Sequence, residues 1–159
     1  MENRELISKK LERYLLTISR KVGILDINVA LLCLVDNKYL VIGNNNFIPY
    51  LSTPIPYTSH YKREINTNLN GLLTRFNIRD SIPSYIAPMD HLFSEDGYMK
   101  RYYVFGVESE NIKLGGDYRL LILGQNALDL FDHKDKRKIH YFLRKKIESV
   151  SNISENLQL

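Results

Sequence analysis

The run from Asn28 to Val35, NVALLCLV, constrains the fold more than any other part of the sequence. After Asn28 it is continuously apolar and rich in residues that favour β structure, so it predicts a buried strand. Asp36-Asn37-Lys38 follows it and predicts a tight turn, and residues 39–42 predict the returning strand of a hairpin. The chain therefore contains the centre of a β-sheet within its first third.

Two amphipathic patterns flank this hairpin at the ends of the chain. Residues 3–21 predict a helix that Gly23 ends, and residues 134–149 predict the terminal helix. The apolar positions of the first helix are Ile7, Leu11, Tyr14, Leu15, Ile18 and Val22, and those of the last are Ile139, Phe142, Leu143, Ile147 and Val150. The remaining residues of both helices are mostly charged, so each helix has one apolar face.

The middle of the chain predicts shorter elements. A polar loop and a stretch with three prolines, Pro49, Pro54 and Pro56, lead to a helix that begins at Ser59 as N-cap and ends near Arg75. Residues 80–88, interrupted by Pro83 and Pro88, predict a loop or a weak edge strand, and residues 89–93 a short strand. Strands are predicted over residues 100–108 and 118–123, and a short helix over residues 125–131.

The composition indicates a single domain with an ordinary core. The chain has 159 residues, of which 44% are hydrophobic and 25% charged. No apolar run is long enough to span a membrane, and the charged N-terminus lacks the apolar core of a signal peptide, so we expect a cytoplasmic protein. Cys33 lies inside the apolar strand and predicts a buried structural thiol. No cysteine and histidine residues have zinc-ligand spacing, and we expect no metal and no cofactor.

The segment from Pro49 to Leu72 contains Arg63-Glu64-Ile65 at the start of the central helix. This segment resembles the end of the Nudix box, G-x5-E-x7-R-E-U-x-E-E-x-G-U, where U is a bulky apolar residue. When the box is placed on Arg63, Glu64 and Ile65, its glycines fall on Pro49 and Asn70. Its first acid falls on Ile55, and its paired metal-binding acids fall on Thr67 and Asn68.

The order of the later elements extends the resemblance over roughly residues 28–143. Tyr102-Tyr103-Val104-Phe105 is similar to a strand of the Nudix family, and residues 117–121 and 125–130 follow it in the family order. The resemblance implies an α/β fold, an α/β/α sandwich around a mixed sheet, with an extra N-terminal helix. It divides the chain into an N-terminal helix over residues 1–24, a Nudix-like domain over residues 25–150 and a frayed tail over residues 151–159.

The resemblance also implies that the family chemistry is lost. Nudix hydrolysis needs carboxylates that hold divalent metal ions, and the aligned positions carry Ile55, Thr67 and Asn68 instead. Glu64 alone would hold magnesium weakly. We therefore expect no catalytic residues and no hydrolase activity, and we expect Glu64 to be partly buried and paired with Arg63 or with backbone N–H groups.

A catalytically inactive domain of this kind would bind a nucleotide-like ligand or a protein partner. The expected ligand-binding residues are Arg63 and Glu64 of the box together with the tyrosines of the adjoining loop, Tyr50, Tyr57 and Tyr61. Tyrosine rings can stack on a base or anchor a partner, and they can equally pack a loop onto the core. Two alternatives remain open: a residual phosphohydrolase that uses Glu64, and a GAF-like or longin-like sensory domain whose first and last helices share one face of the sheet.

Two other surfaces suggest partners. Residues 134–146 contain seven lysines and arginines against one acid, Asp135, so the C-terminal helix could bind nucleic acid or simply present a solvated basic face. The N-terminal helix has an apolar face that the Nudix core does not require. That face, with Leu11 and Ile18, would either cover the sheet or form a homodimer.

Overall fold

The computed structural model describes residues 4–22, 26–43, 51–55, 61–93, 98–110, 112–130 and 137–157. These residues form four helices and six strands. In chain order the elements are α1 (Lys9–Val22), β1 (Asp26–Val35), β2 (Tyr39–Gly43), β3 (Leu51–Ile55), α2 (Tyr61–Arg75), β4 (Ser84–Phe93), β5 (Tyr98–Ser109), β6 (Tyr118–Ile122), α3 (Gln125–Asp129) and α4 (Arg137–Leu157). The protein is therefore of the mixed α/β class, as the sequence predicts.

The strands form one mixed sheet in the order β4-β5-β1-β2-β6, and β3 pairs with the first half of β1. β1 and β5 are parallel over their whole length, from Asp26 opposite Lys100 to Val35 opposite Ser109. The other pairs are antiparallel. β1 is therefore the central strand, with β5 on one side and β2 and β3 on the other.

One face of the sheet is covered by α1 and α2. Val29, Leu31 and Cys33 of β1 belong to the same buried cluster as Leu15 of α1 and Leu69 of α2. The Tyr103 hydroxyl donates a hydrogen bond of 2.9 Å to the backbone carbonyl of Leu15, which fixes α1 on this face. Alternate residues of a strand point to opposite faces, so the intervening residues of β1 face the other layer.

The opposite face is covered by α3 and α4. Ala30, Leu32 and Leu34 share a second buried cluster with Ala127 of α3 and with Ile139 and Leu143 of α4. Helices thus lie on both sides of the sheet, and the first and last helices lie on different faces. The sensory-domain alternative requires those two helices to share a face, and the observed layers do not have that arrangement.

Two turns explain where the chain reverses. Asp36 and Asn37 both have positive φ angles, 53° and 55°, and lie in the three-residue connection between the paired residues Val35 and Tyr39. The Lys38 N–H donates to the Val35 carbonyl at 3.1 Å and closes this turn. Asn77 has a φ of 58° and ends α2, where the N–H groups of Asn77 and Ile78 donate to the carbonyls of Thr74 and Leu73. These hydrogen bonds provide donors for carbonyls in the last turn of α2, which have no partner within the helix.

Several boundaries differ from the sequence prediction. Pro54 lies inside β3, and β4 passes through Pro88 without interruption. Both strands have a single partner among the described residues, and an edge strand can accommodate proline, which lacks an N–H group. α4 continues to Leu157, into the segment predicted as a frayed tail. Ser59, the predicted N-cap of α2, lies outside the described residues.

The N-terminal helix begins later than predicted, at Lys9, and residues 4–8 precede it without regular structure. Leu15 is fully buried against the sheet, and Leu11 is partly buried in the same cluster. The side chain of Ile18 lies outside the described residues. Leu11 and Leu15 pack within the chain, so α1 covers its own sheet. The homodimer through this helix stays a prediction.

Candidate functional site

The tripeptide Arg63-Glu64-Ile65 lies in the first turns of α2. Ile65 is buried in the core, Arg63 is exposed and Glu64 is half-buried. Among the described residues, no hydrogen bond or ion pair joins the Arg63 guanidinium to the Glu64 carboxylate. Glu64 is thus partly buried, as predicted, but neither predicted pairing of its carboxylate, with Arg63 or with backbone N–H groups, is present among the described residues.

The positions that align with metal-binding acids carry uncharged side chains on the same helix. Thr67 is exposed and Asn68 is half-buried, and the Asn68 side-chain amide donates a hydrogen bond of 2.7 Å to the backbone carbonyl of Glu64. Glu64 is the only carboxylate of α2. Within the described ranges, no three His, Cys, Asp or Glu side chains are placed to hold a metal ion.

Two other asparagines of α2 bind the segment that precedes α1. The Leu6 N–H donates to Asn66 Oδ1 at 2.6 Å. Asn70 accepts from the Arg4 N–H at 3.4 Å and donates to the Arg4 carbonyl at 2.9 Å. We call Asn66 and Asn70, with Arg4 and Leu6, the asparagine clamp. It holds residues 4–6 along one side of α2, and the amide groups replace a missing strand or helix partner for this backbone.

The beginning of α2 is also tied to the N-terminal region. The Lys62 N–H donates to Glu12 Oε1 at 3.1 Å, which places a carboxylate from α1 at the N-terminus of α2, where the helix dipole favours negative charge. Lys62 Nζ lies 2.7 Å from Glu5 Oε1. The hydrogen bond from Lys62, and then its charge, lower the pKa of Glu5. α1 and residues 4–8 therefore fix the orientation of α2.

The other residues of the predicted ligand site are the three tyrosines. Tyr50 and Tyr57 lie outside the described residues, and Tyr61 begins α2 with a side chain that also lies outside them. Arg63 and Glu64 are therefore the two predicted site residues with a described position, and both lie on the helix beside the clamp.

A second site lies on the opposite face between β4 and α4, and it includes the basic C-terminal helix for which the sequence suggests nucleic-acid binding or a solvated face. It is a groove of about 530 Å³, which we call the basic groove. Its lining residues are Ser84, Tyr85, Ile86, Arg137, Lys138, Tyr141, Phe142, Lys145 and Lys146. A smaller recess of about 280 Å³ adjoins it and shares Ser84, Phe142 and Lys146. The sequence predicts the basic face of the C-terminal helix but not the groove, because Ser84 to Ile86, which complete it, lie in a segment predicted as a loop or a weak edge strand.

The basic groove depends on a close contact between α4 and β5. The ring of Phe142 lies directly against Gly106, and a Cβ at that position would lie 2.8 Å from Phe142 Cζ. Glycine at this position therefore allows α4 to approach the sheet. Lys146 forms an ion pair with Glu108 at the end of this contact.

Two aromatic rings of the groove each lie beside a lysine side chain. Lys145 Nζ lies 5.4 Å from the centre of the Tyr141 ring, and Lys146 Nζ lies 5.7 Å from the centre of the Phe142 ring. Both distances fall in the range of cation–π contacts. The groove thus combines an apolar floor, an exposed tyrosine and positive charge.

Cys33 has no role in either site. The thiol is fully buried in the centre of β1, and burial, with a smaller contribution from the charge of Asp80, raises its pKa to about 12. A thiol with so high a pKa remains protonated at neutral pH and is a poor nucleophile.

Comparison with known proteins adds no assignment to this geometry. No protein-family model matches the chain, and no curated protein matches it. None of the helices, over the residues that the structure describes, is both long and apolar enough to cross a membrane. The two candidate sites are therefore defined by their residues and contacts.

Proposed function

We propose that this chain is a Nudix-like binding module without hydrolase activity. Its layered α/β architecture supports the proposal, because a hairpin leads to a helix that packs on the sheet. α2 follows the β1–β2 hairpin and β3, and it contacts β1 and β3. A strand containing Tyr102 and Tyr103, a further strand and two helices then follow, in the order that the resemblance implies.

The main observation in support of the proposal is that the polar side chains of α2 form hydrogen bonds within the domain. In an active member, carboxylates of this helix would converge on metal ions. Here Asn66 and Asn70 bind the backbone of residues 4–6, and Asn68 bonds to its own helix. These amides serve the structure of the domain. The remaining functional groups at the start of α2 are the Arg63 guanidinium and the Glu64 carboxylate.

The ligand that suits these groups best is a nucleotide-like anion. The Arg63 guanidinium is exposed and has five N–H donors in a geometry that matches phosphate oxygens. Glu64 is half-buried beside it and could accept a hydrogen bond from a sugar hydroxyl or a base. Recognition without bond cleavage follows, because no aligned carboxylate accompanies Glu64.

Hydrolysis is tested first. Purified protein is incubated with a panel of nucleoside diphosphate derivatives and magnesium or manganese, and the release of phosphate or nucleotide is measured. We expect no turnover from the full-length chain or from Glu64→Gln. Turnover that Glu64→Gln abolishes would overturn the proposal and establish the alternative, a residual phosphohydrolase.

Binding is tested with the same compounds by calorimetry and thermal shift. We expect nucleoside diphosphates to raise the melting temperature of the natural sequence and of Arg79→Ala, but not of Arg63→Ala. Arg79 is a matched control because it is an exposed arginine outside α2. If no compound binds, the nucleotide assignment is wrong, and a protein partner becomes the better candidate for this surface.

A further inference from the structure

We propose that the basic groove between β4 and α4 binds single-stranded nucleic acid. In this assignment, bases lie on the apolar floor and against Tyr141, and phosphates contact Arg137, Lys138 and Lys145. The groove lies on the face of the sheet opposite α2, so this inference does not depend on the function of Arg63 and Glu64.

The charge of the groove favours a polyanion. Four of its lining residues are cations and none is an acid. Lys146 pairs with Glu108, which belongs to the adjoining recess. Arg137, Lys138 and Lys145 form no ion pair with any acid among the described residues, and they are exposed. Three cations on one helix, in a chain of net charge +4, attract phosphates over a distance set by salt.

The apolar part of the groove favours bases over acidic side chains. Ile86 and Phe142 are half-buried and form its floor, and Tyr141 is 61% exposed at its rim. Every base has a flat apolar face that can stack on such a ring, whereas a carboxylate gains nothing from it. Lys145 beside the Tyr141 ring allows one ligand to meet the ring and a cation together.

The dimensions favour a strand over a single nucleotide. Arg137 and Lys145 are eight residues apart on α4, which corresponds to about 12 Å along a helix. The groove of about 530 Å³ is open and continues into the recess of about 280 Å³. Ile82, which also lines this recess, is 76% exposed. A duplex would also present phosphates to the groove, but its bases are stacked on one another and could not stack on Tyr141.

The test uses the full chain and fluorescently labelled single-stranded RNA of twelve nucleotides, measured by anisotropy at several salt concentrations. We expect Tyr141→Ala to weaken binding by roughly ten-fold, because a base–aromatic stack contributes at about that level. Tyr141→Phe keeps the ring and should bind like the natural sequence. A duplex of the same length should bind more weakly than the single strand.

Charge removal provides the second arm. Each phosphate that a protein neutralises on a single strand adds about 0.7 to the slope of log K against log salt. The double variant Lys138→Gln/Lys145→Gln removes two such cations and should therefore reduce the slope by about 1.4. The matched control removes two exposed lysines of the other face, Lys10→Gln/Lys113→Gln, and should leave the slope nearly unchanged.

The proposal is overturned by any of three results. The first is that Tyr141→Ala and Lys138→Gln/Lys145→Gln bind the RNA as tightly as the control variant does. The second is equal binding of duplex and single strand. The third is that an acidic peptide of the same charge displaces the labelled RNA as effectively as unlabelled RNA does. That result would assign the groove to an acidic protein partner. Circular dichroism of each variant establishes that the fold is retained before binding is compared.

Discussion

The asparagine clamp allows a sharp test of how the N-terminal segment is held. Asn70 is 8% exposed, and its side chain makes two hydrogen bonds to the Arg4 backbone and one to the carbonyl of Asn66. The bond to Asn66 runs four residues back along α2, as does the bond from Asn68 to Glu64. Asn70→Ala and Asn68→Ala therefore lose the same kind of local bond, and they differ in the two bonds to Arg4.

The expected magnitude follows from these bonds. Each hydrogen bond contributes about 0.5–1.5 kcal/mol net, so the loss of both bonds to Arg4 costs about 1–3 kcal/mol. Alanine is the better helix former by about 0.5 kcal/mol, which offsets part of the loss in both variants. We expect Asn70→Ala to lower the free energy of unfolding by about 1–2 kcal/mol. Asn68→Ala should lie within about 0.5 kcal/mol of the natural sequence.

Urea denaturation followed by circular dichroism measures both variants, and a thermal scan should show a difference of about 2–4 °C for each kcal/mol. Hydrogen exchange at the Arg4 and Leu6 amides provides an independent reading, because Asn70→Ala should speed exchange at Arg4 first. If Asn70→Ala and Asn68→Ala prove equally stable, the bonds to Arg4 contribute nothing, and the clamp has no role in stability.

Three further predictions concern other parts of the fold. Gly106→Ala should destabilise the protein by about 1–3 kcal/mol through the contact with Phe142, and Phe142→Leu in the same chain should recover part of that loss in a urea titration. Cys33 should not react with a thiol reagent at pH 8 until the protein is unfolded, and rapid labelling of the native chain would contradict its burial. The Asp80 carboxylate accepts from the Glu110 N–H, which lowers its pKa below 3.8, so its stabilising effect should exist at neutral pH and disappear as the pH falls through the lowered pKa. Urea titrations of the natural sequence and Asp80→Asn at pH 7 and pH 3 should therefore lie closer together at the lower pH.

The elements with strong local patterns could be predicted from the sequence. The apolar run over residues 28–35 is β1, and the turn at Asp36 and Asn37 joins it to β2 as expected. The helix ending at Arg75 and the strand containing Tyr103 are also confirmed. In each of these elements the signal lies within the segment itself, in its periodicity or its turn residues.

The edge strands and the sheet order could not be predicted from local patterns. β3 and β4 contain prolines that argue against a strand, and they form because β1 and β5 offer them backbone partners. The parallel pairing of β1 with β5 joins residues that lie far apart in the sequence. Tertiary pairing of this kind leaves no mark on the composition of either segment.

The candidate sites also divide into residues that a local pattern indicates and residues that only the folded chain brings together. Arg63 and Glu64 could be placed on a helix from the motif alone, and the structure finds them there. The partners of Asn66 and Asn70 lie at Leu6 and Arg4, about 60 residues earlier, and no sequence spacing indicates them. The basic groove requires α4 to meet β4 across Gly106, so its apolar floor becomes apparent only when the layers are assembled.

The central position of β1 has a consequence for how the chain acquires its fold. β1 is complete when residue 35 has been synthesised, but its longest pairing is with β5, which ends at Ser109. Closing so long a loop is entropically costly, and sheets built from distant segments form slowly. Until residues 98–109 have been synthesised, one edge of β1, whose residues 29–35 are all apolar, has no partner. A nascent chain that stalls before Ser109 should therefore depend on chaperones or aggregate, whereas the completed and released chain should contain the assembled sheet.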